Sequence, residues 1–193
     1  MGQHTRRAII LPAFAALAVL VPASPRSEYL DAQRKIDLIR REVVPAGSKV
    51  SLNKAELNAY VRKEVAAVAP QGVRNPRLEL GNNRATAFAD IDFAKLQQSQ
   101  GRTPGWLMEK LLSGERPVRV DARIRSGSGQ AVVDVDQVVI SGITISGSTL
   151  DFLIRNFLWS YYPEAKVGKP FELDHRIDRL EVSPAEVRIV IAR

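Results

Sequence analysis

A chain of 193 residues, 45% hydrophobic and 25% charged, has the composition of a globular protein with a core of its own. It contains no cysteine, which excludes disulfides, thiolate metal sites, thiol nucleophiles and a lipid-modified cysteine anchor. The net charge of +7 suits anionic lipid head groups or polymers. The basic residues form no run and do not interleave with aromatics, so nucleic acid is not an expected partner.

Arg6 and Arg7 precede an apolar stretch, Ala8 to Val21. Its length of about 14 residues is that of a signal-peptide core and falls short of the roughly 20 that a spanning helix needs. Val21-Pro22-Ala23 permits cleavage after Ala23; residues 8–21 kept as an anchor, kinked at Pro12, are the other outcome. Both outcomes export the chain, to the periplasm or another extracytoplasmic part of the cell envelope. The expected division is a leader over 1–23, an N-terminal helix and linker over 24–47, and one α+β domain over 48–193.

Ser27 to Val43 reads as an amphipathic helix, with Tyr29, Ala32, Ile36, Ile39 and Val43 at three- and four-residue spacing. A second helix starts at Asn53, the cap, with Glu56 as its capping-box partner and Leu52 and Leu57 as a hydrophobic staple. Its expected buried stripe is Leu57, Val61, Val65 and Val68. From Arg77 the period changes to two. Gly81-Asn82-Asn83 turns a first hairpin, whose apolar face runs through Ala85, Ala87, Ala89, Ile91 and Phe93, with Phe88 misplaced on the polar face. A short helix is expected over Gly105 to Leu112. Val118 to Arg125 alternates cleanly, and Ser126-Gly127-Ser128-Gly129 turns it into a partner strand over Ala131 to Ile140. A third main helix is expected over Thr149 to Tyr162, followed by strands over Phe171–Val182 and Glu186–Ala192. Hairpins interspersed with helices indicate an α+β fold, not a parallel α/β sheet.

Catalytic groups are sparse. Asp90 with Asp92, and Asp134 with Asp136, put paired carboxylates on single strand faces, a spacing open to a divalent cation. The same faces are the polar sides of half-buried strands, where Asp134 and Asp136 would meet Arg119, Asp121 and Arg123 across the hairpin. Of the 2 histidines, His175 alone lies beyond the leader, between Asp174 and Arg176 in an expected strand. No Gly-x-Ser-x-Gly elbow accompanies it, and Gly142 and Gly147 make no phosphate loop. The reading is a non-enzyme with no catalytic residue, cofactor or metal, a metal-dependent enzyme using the paired aspartates ranking last.

The Thr149–Tyr162 segment is apolar on two sides. Leu150, Leu153, Ile154, Phe157, Leu158 and Tyr161 share one face, and Phe152 and Trp159 project on the opposite one. A helix between two layers accounts for this, and so does a helix lining an apolar groove. The groove reading names Phe152, Phe157, Trp159 and Tyr162 as ligand contacts, with Lys166 and Lys169 for an anionic head group.

Several phrases carry a resemblance: the helix start Leu52-Asn53-Lys54-Ala55-Glu56-Leu57-Asn58-Ala59-Tyr60, the Gly-flanked strand Ser141 to Gly147 running into an apolar helix, and Gly168-Lys169-Pro170-Phe171-Glu172-Leu173 before a closing hairpin. This layout resembles bacterial exported and membrane-anchored families of unknown function, similar in fold to the tubular lipid-binding (BPI-like) proteins. One of these families includes a mycobacterial envelope protein of lipomannan elongation. The resemblance covers most of 48–193 and implies a curved antiparallel sheet of hairpins packed around a long helix, with an apolar groove for acyl chains. The expected function is then binding of a lipid or other amphiphile in the cell envelope, at or near a membrane surface. The alternative is a structural or assembly module that binds another envelope protein through a sheet edge or the N-terminal helix.

Overall fold

The structure is a computed structural model and describes residues 24–69, 72–99, 101, 114–155 and 167–193. The leader expected over 1–23, the helix expected over Gly105 to Leu112, and Phe157, Trp159, Tyr162 and Lys166 lie outside the described residues. The described residues form an α+β fold whose named strands all pair antiparallel, in two sheets.

Helix α1 (Pro25–Arg40) opens with Ser24, whose side chain accepts from the Ser27 N–H, and with Pro25, whose missing N–H costs nothing in the first turn. It buries Ala32 and Ile39. Strand β1 (Lys49–Asn53) leads directly into helix α2 (Lys54–Val68). The capping box forms as the sequence predicts: Asn53 accepts from the Ala55 and Glu56 N–H groups, and Glu56 accepts from the Asn53 N–H. Glu56 also holds Lys35 Nζ of α1 at 2.8 Å, and the same ammonium donates to the Ser51 carbonyl. One carboxylate, 7% exposed, therefore ties α1, β1 and α2 together.

Strands β2 (Val73–Gly81) and β3 (Arg84–Ile91) form the first hairpin, with Asn83 in the left-handed region at the turn. Asn58 of α2 accepts from the Leu78 N–H and donates to the Leu78 carbonyl, so its amide acts as a one-residue partner for the outer edge of β2. The predicted face of β3 ends at Ile91. Phe93 does not extend the strand but begins helix α3 (Phe93–Ser99), because Asp92 accepts from the Lys95 N–H and caps it.

Strands β4 (Arg116–Gly127) and β5 (Gln130–Ile140) form the long second hairpin, turning at Ser128 and Gly129, both with positive φ. Strand β6 (Ile143–Ile145) pairs with one end of β5 and β7 (Phe171–Glu172) with the other, completing a six-stranded sheet in the order β2-β3-β4-β5-β6. Helix α4 (Gly147–Leu153) follows β6 and widens into a π-type turn at Ile154 and Arg155. The rest of the predicted Thr149–Tyr162 helix lies outside the described residues.

The predicted strand over Phe171–Val182 is divided. His175 and Arg176 both adopt left-handed backbone, which breaks it between β7 and β8 (Ile177–Val182). This turn moves the chain from the large sheet to a second one of three strands, β1-β9-β8, where β9 is Glu186–Ile191. The sheets are stitched end to end: Asn83 donates to the Val182 carbonyl, Gly129 to that of Asp178, and Ser126 Oγ bonds both the N–H and the carbonyl of Leu180. No helix among the described residues is long and apolar enough to cross a membrane.

Candidate apolar binding site

The inward face of the large sheet is built of alternating aliphatic residues, and their spacing is corrected at one point. In β5, Ile140 and Val138 face inward, and strict alternation would next bring in Asp136 and Asp134. A bulge prevents this: Asp121 pairs with Gln137 and Ala122 with Val135, leaving Asp136 as the extra residue. Val135 thereby takes the inward position, and both aspartates stay on the outer face. The consecutive polar pair Asp136-Gln137 is the sequence trace of this slip.

Above that face lies an open-sided cavity of about 290 Å³. Val73, Ile91, Val118, Val120, Val135, Val138 and Ile140 form its floor. Val65, Val68 and Ala69 from the end of α2, Phe93 and Leu96 from α3, and Leu150, Leu153 and Ile154 from α4 and its π-type turn form its walls. Each of these side chains is hydrocarbon. Close contact fixes α3 in place: a Cβ on Gly72 would collide with Leu96, and the Asp92 N–H donates to the Gly72 carbonyl at 2.9 Å.

The stripe predicted on α2 is therefore reassigned. The residues of α2 that bury are Glu56, Asn58 and Ala59, while Val68 is 44% exposed because it faces the open cavity. On α4 the apolar sides divide in a similar way. Leu150, Leu153 and Ile154 line the cavity, whereas Phe152 is 38% exposed and stands outside the lining. Lys169 is exposed in the turn after Val167, which bridges to Val133, and is also outside the lining. Phe157, Trp159, Tyr162 and Lys166 lie outside the described residues, so of the side chains expected to form a groove with head-group contacts, Phe152 and Lys169 alone are placed. Leu150, Leu153 and Ile154 read in sequence as ordinary core; nothing in their spacing distinguishes a cavity wall from a packed interior.

The opposite face of the sheet is a layer of ion pairs. Asp136, on the bulge, is clamped between Arg123 Nε at 2.7 Å and Arg84 at 3.1 Å, and Asp134 pairs with Arg125 at 2.8 Å. Asp121 accepts from Arg119 and from the Thr86 hydroxyl. Phe88, out of place in the polar pattern, lies opposite Arg119 and carries the Arg77 guanidinium 3.7 Å above its ring. Asp90 accepts from the Asn75 amide, and Asp92 is the cap of α3 with Lys95 beside it. The two Asp pairs are thus engaged with cations, amides and a helix start. Among the described residues no group of three or more His, Asp or Glu side chains is placed to hold a metal. His175 sits in the left-handed turn, 3.9 Å from Glu42.

The three-stranded sheet carries a second charged cluster. Lys49, Arg179 and Arg188 all reach the Glu181 carboxylate, and Arg188 also bonds Glu186. Burial works to raise the Glu181 pKa, but hydrogen bonds from Arg179, Lys49 and Arg188 outweigh it and hold the carboxyl below its ordinary range. Arg179 also pairs with Asp178 at 2.6 Å, so three cations meet three carboxylates and brace strand to strand. No protein-family model matches the chain, and no curated protein matches it.

Proposed function

We propose that the protein binds the hydrocarbon part of a lipid or other amphiphile in the cavity beneath the large sheet, without catalysing a reaction. The observation that supports this is a lining, among the described residues, made wholly of Ala, Val, Leu, Ile and Phe around an open space of about 290 Å³. Water is poorly held by such walls, since an ordered water needs two to four polar partners. A hydrocarbon chain gains about 0.8 kcal/mol for each methylene it withdraws from water. In this reading the sheet curves over the helix that opens at Gly147, as the resemblance to tubular lipid-binding families implies. The leader places the work outside the cytoplasm, in the cell envelope. The reading is tested by titrating the purified protein with a fluorescent fatty-acid analogue. Saturable binding that Val120→Glu and Leu153→Glu each abolish, with circular dichroism unchanged, is the expected result. Absence of saturable binding sinks it.

A second reading, a module that docks on another envelope protein, draws on Leu30 and Leu38, which α1 leaves exposed. A Leu30→Ser, Leu38→Ser double variant that loses an envelope partner in a pull-down, yet still takes up the fatty-acid analogue, is the outcome that favours it.

A further inference from the structure

The chemistry of the cavity walls goes further than a preference for grease. We propose that the cavity admits hydrocarbon chains without in-chain polar groups and rejects chains that carry a hydroxyl along their length. The proposal rests on the lipid-binding reading above and narrows the class of ligand.

Among the described residues, the cavity offers a buried hydroxyl nothing to bond. No lining side chain has a donor or acceptor. Under the floor, the main-chain groups of Val118 and Val120 lie in the ladder opposite Ile140 and Val138, and those of Ile91 opposite Arg116. Those ladder bonds leave the floor's main chain little left to give. The buried polar atoms without a partner among the described residues are Gln97 Oε1, Arg116 Nε and Asp121 Oδ2, and none of these three residues lines the cavity. The β5 bulge makes the same point from the other side, because it keeps Asp134 and Asp136 on the outer face. A hydroxyl carried inside on a chain therefore loses its water and gains no partner. An apolar site discriminates against an added hydroxyl by about tenfold to a hundredfold for this reason. The polar end of the ligand escapes that penalty by staying at the open side.

The test is a competition against the fluorescent fatty-acid analogue on the full chain, with octadecanoic acid and 10-hydroxyoctadecanoic acid, both kept below their aggregation limits. The unsubstituted acid is expected to bind at least about tenfold tighter. Val120→Thr, which keeps the shape of the wall and adds one hydroxyl, is expected to narrow that gap at least about threefold, with Val135→Thr as the second variant should the first fail to fold. Equal affinity of the two acids overturns the selectivity and leaves the lipid-binding reading standing. A gap that neither threonine changes shows that the walls do not set it, and overturns the inference as well. No saturable binding by either acid overturns the underlying reading first, and the inference with it.

Discussion

The two apolar clusters of this protein are built from similar residues and end in different states. Around α1, β1 and β9, Ala32, Ile39, Leu52, Ile189 and Ile191 close on one another, with Ala32 at 0% exposure. Beneath the large sheet, Phe93, Leu96, Val118, Val138 and Ile140 form an equally apolar cluster that does not close, and an open cavity remains among them. The difference lies in what faces each sheet. The three-stranded sheet meets a sixteen-residue helix held to it by Lys35, Ser51 and Glu56. Among the described residues, the six-stranded sheet meets the end of α2 and the helical stretches Phe93–Ser99 and Gly147–Leu153, which stand around the space instead of filling it. Packing to the density of a crystal is the usual condition of a protein interior, and among the described residues the closed cluster meets it while the open one does not.

The sharpest way to break the comparison is to cut a methyl-bearing side chain from each cluster. Leu52→Ala, in the closed one, is expected to cost about 2–5 kcal/mol in urea unfolding, since a void opens where packing was complete. Leu153→Ala already borders open space and should cost less than about 2 kcal/mol. Equal losses would erase the distinction. Next in size is the tie between the clusters' elements: Glu56→Gln removes the charge that holds Lys35 and leaves one accepting oxygen where Lys35 and the Asn53 N–H now share two, at an expected cost of about 1–3 kcal/mol by the same measurement.

Enlarging side chains tests the same contrast from the opposite direction. Ala32→Leu overpacks the closed cluster and should cost about 1–3 kcal/mol, while Val120→Phe enters open space and should leave stability within about 1 kcal/mol. Val120→Phe should also lose uptake of the fatty-acid analogue, read by fluorescence titration. A smaller effect is expected of pH. Because Glu181 has a lowered folded pKa, its contribution is present above the unfolded carboxylate value of about 4.3 and is lost as pH falls through the folded value. Glu181→Gln should therefore flatten the decline of stability in acid below about pH 4, checked by urea midpoints from pH 6 to 2. Smallest of all, Asp134→Asn breaks an ion pair whose Arg125 is largely exposed and should change stability by less than about 1 kcal/mol.

Local chemistry was the part of this fold most readable in sequence. Asn53 with Glu56, the turns at Asn82-Asn83 and Ser128-Gly129, and the alternation from Val118 to Arg125 each specify a structure within a few residues, and each forms. What escaped depends on distant neighbours. Asp92 caps α3, and read alone it looked like half of a carboxylate pair. His175 and Arg176 carry no glycine to announce a left-handed turn, so the passage from one sheet to the other was hidden. The candidate site was half visible for the same reason. Periodicity marked Leu150, Leu153 and Ile154 as one apolar side and Phe152 as another, but which side meets the cavity is set by the sheet beneath. The Asp136-Gln137 doublet was legible, and counting phase through it would have indicated that Val135 turns inward.

Whether the cavity holds a lipid is decided by native mass spectrometry of the protein isolated from its own source. A bound species of lipid mass is expected on the unsubstituted chain and absent from the Val120→Phe form isolated identically. Only the bare protein mass from the unsubstituted chain, or the same bound species on both forms, would contradict it.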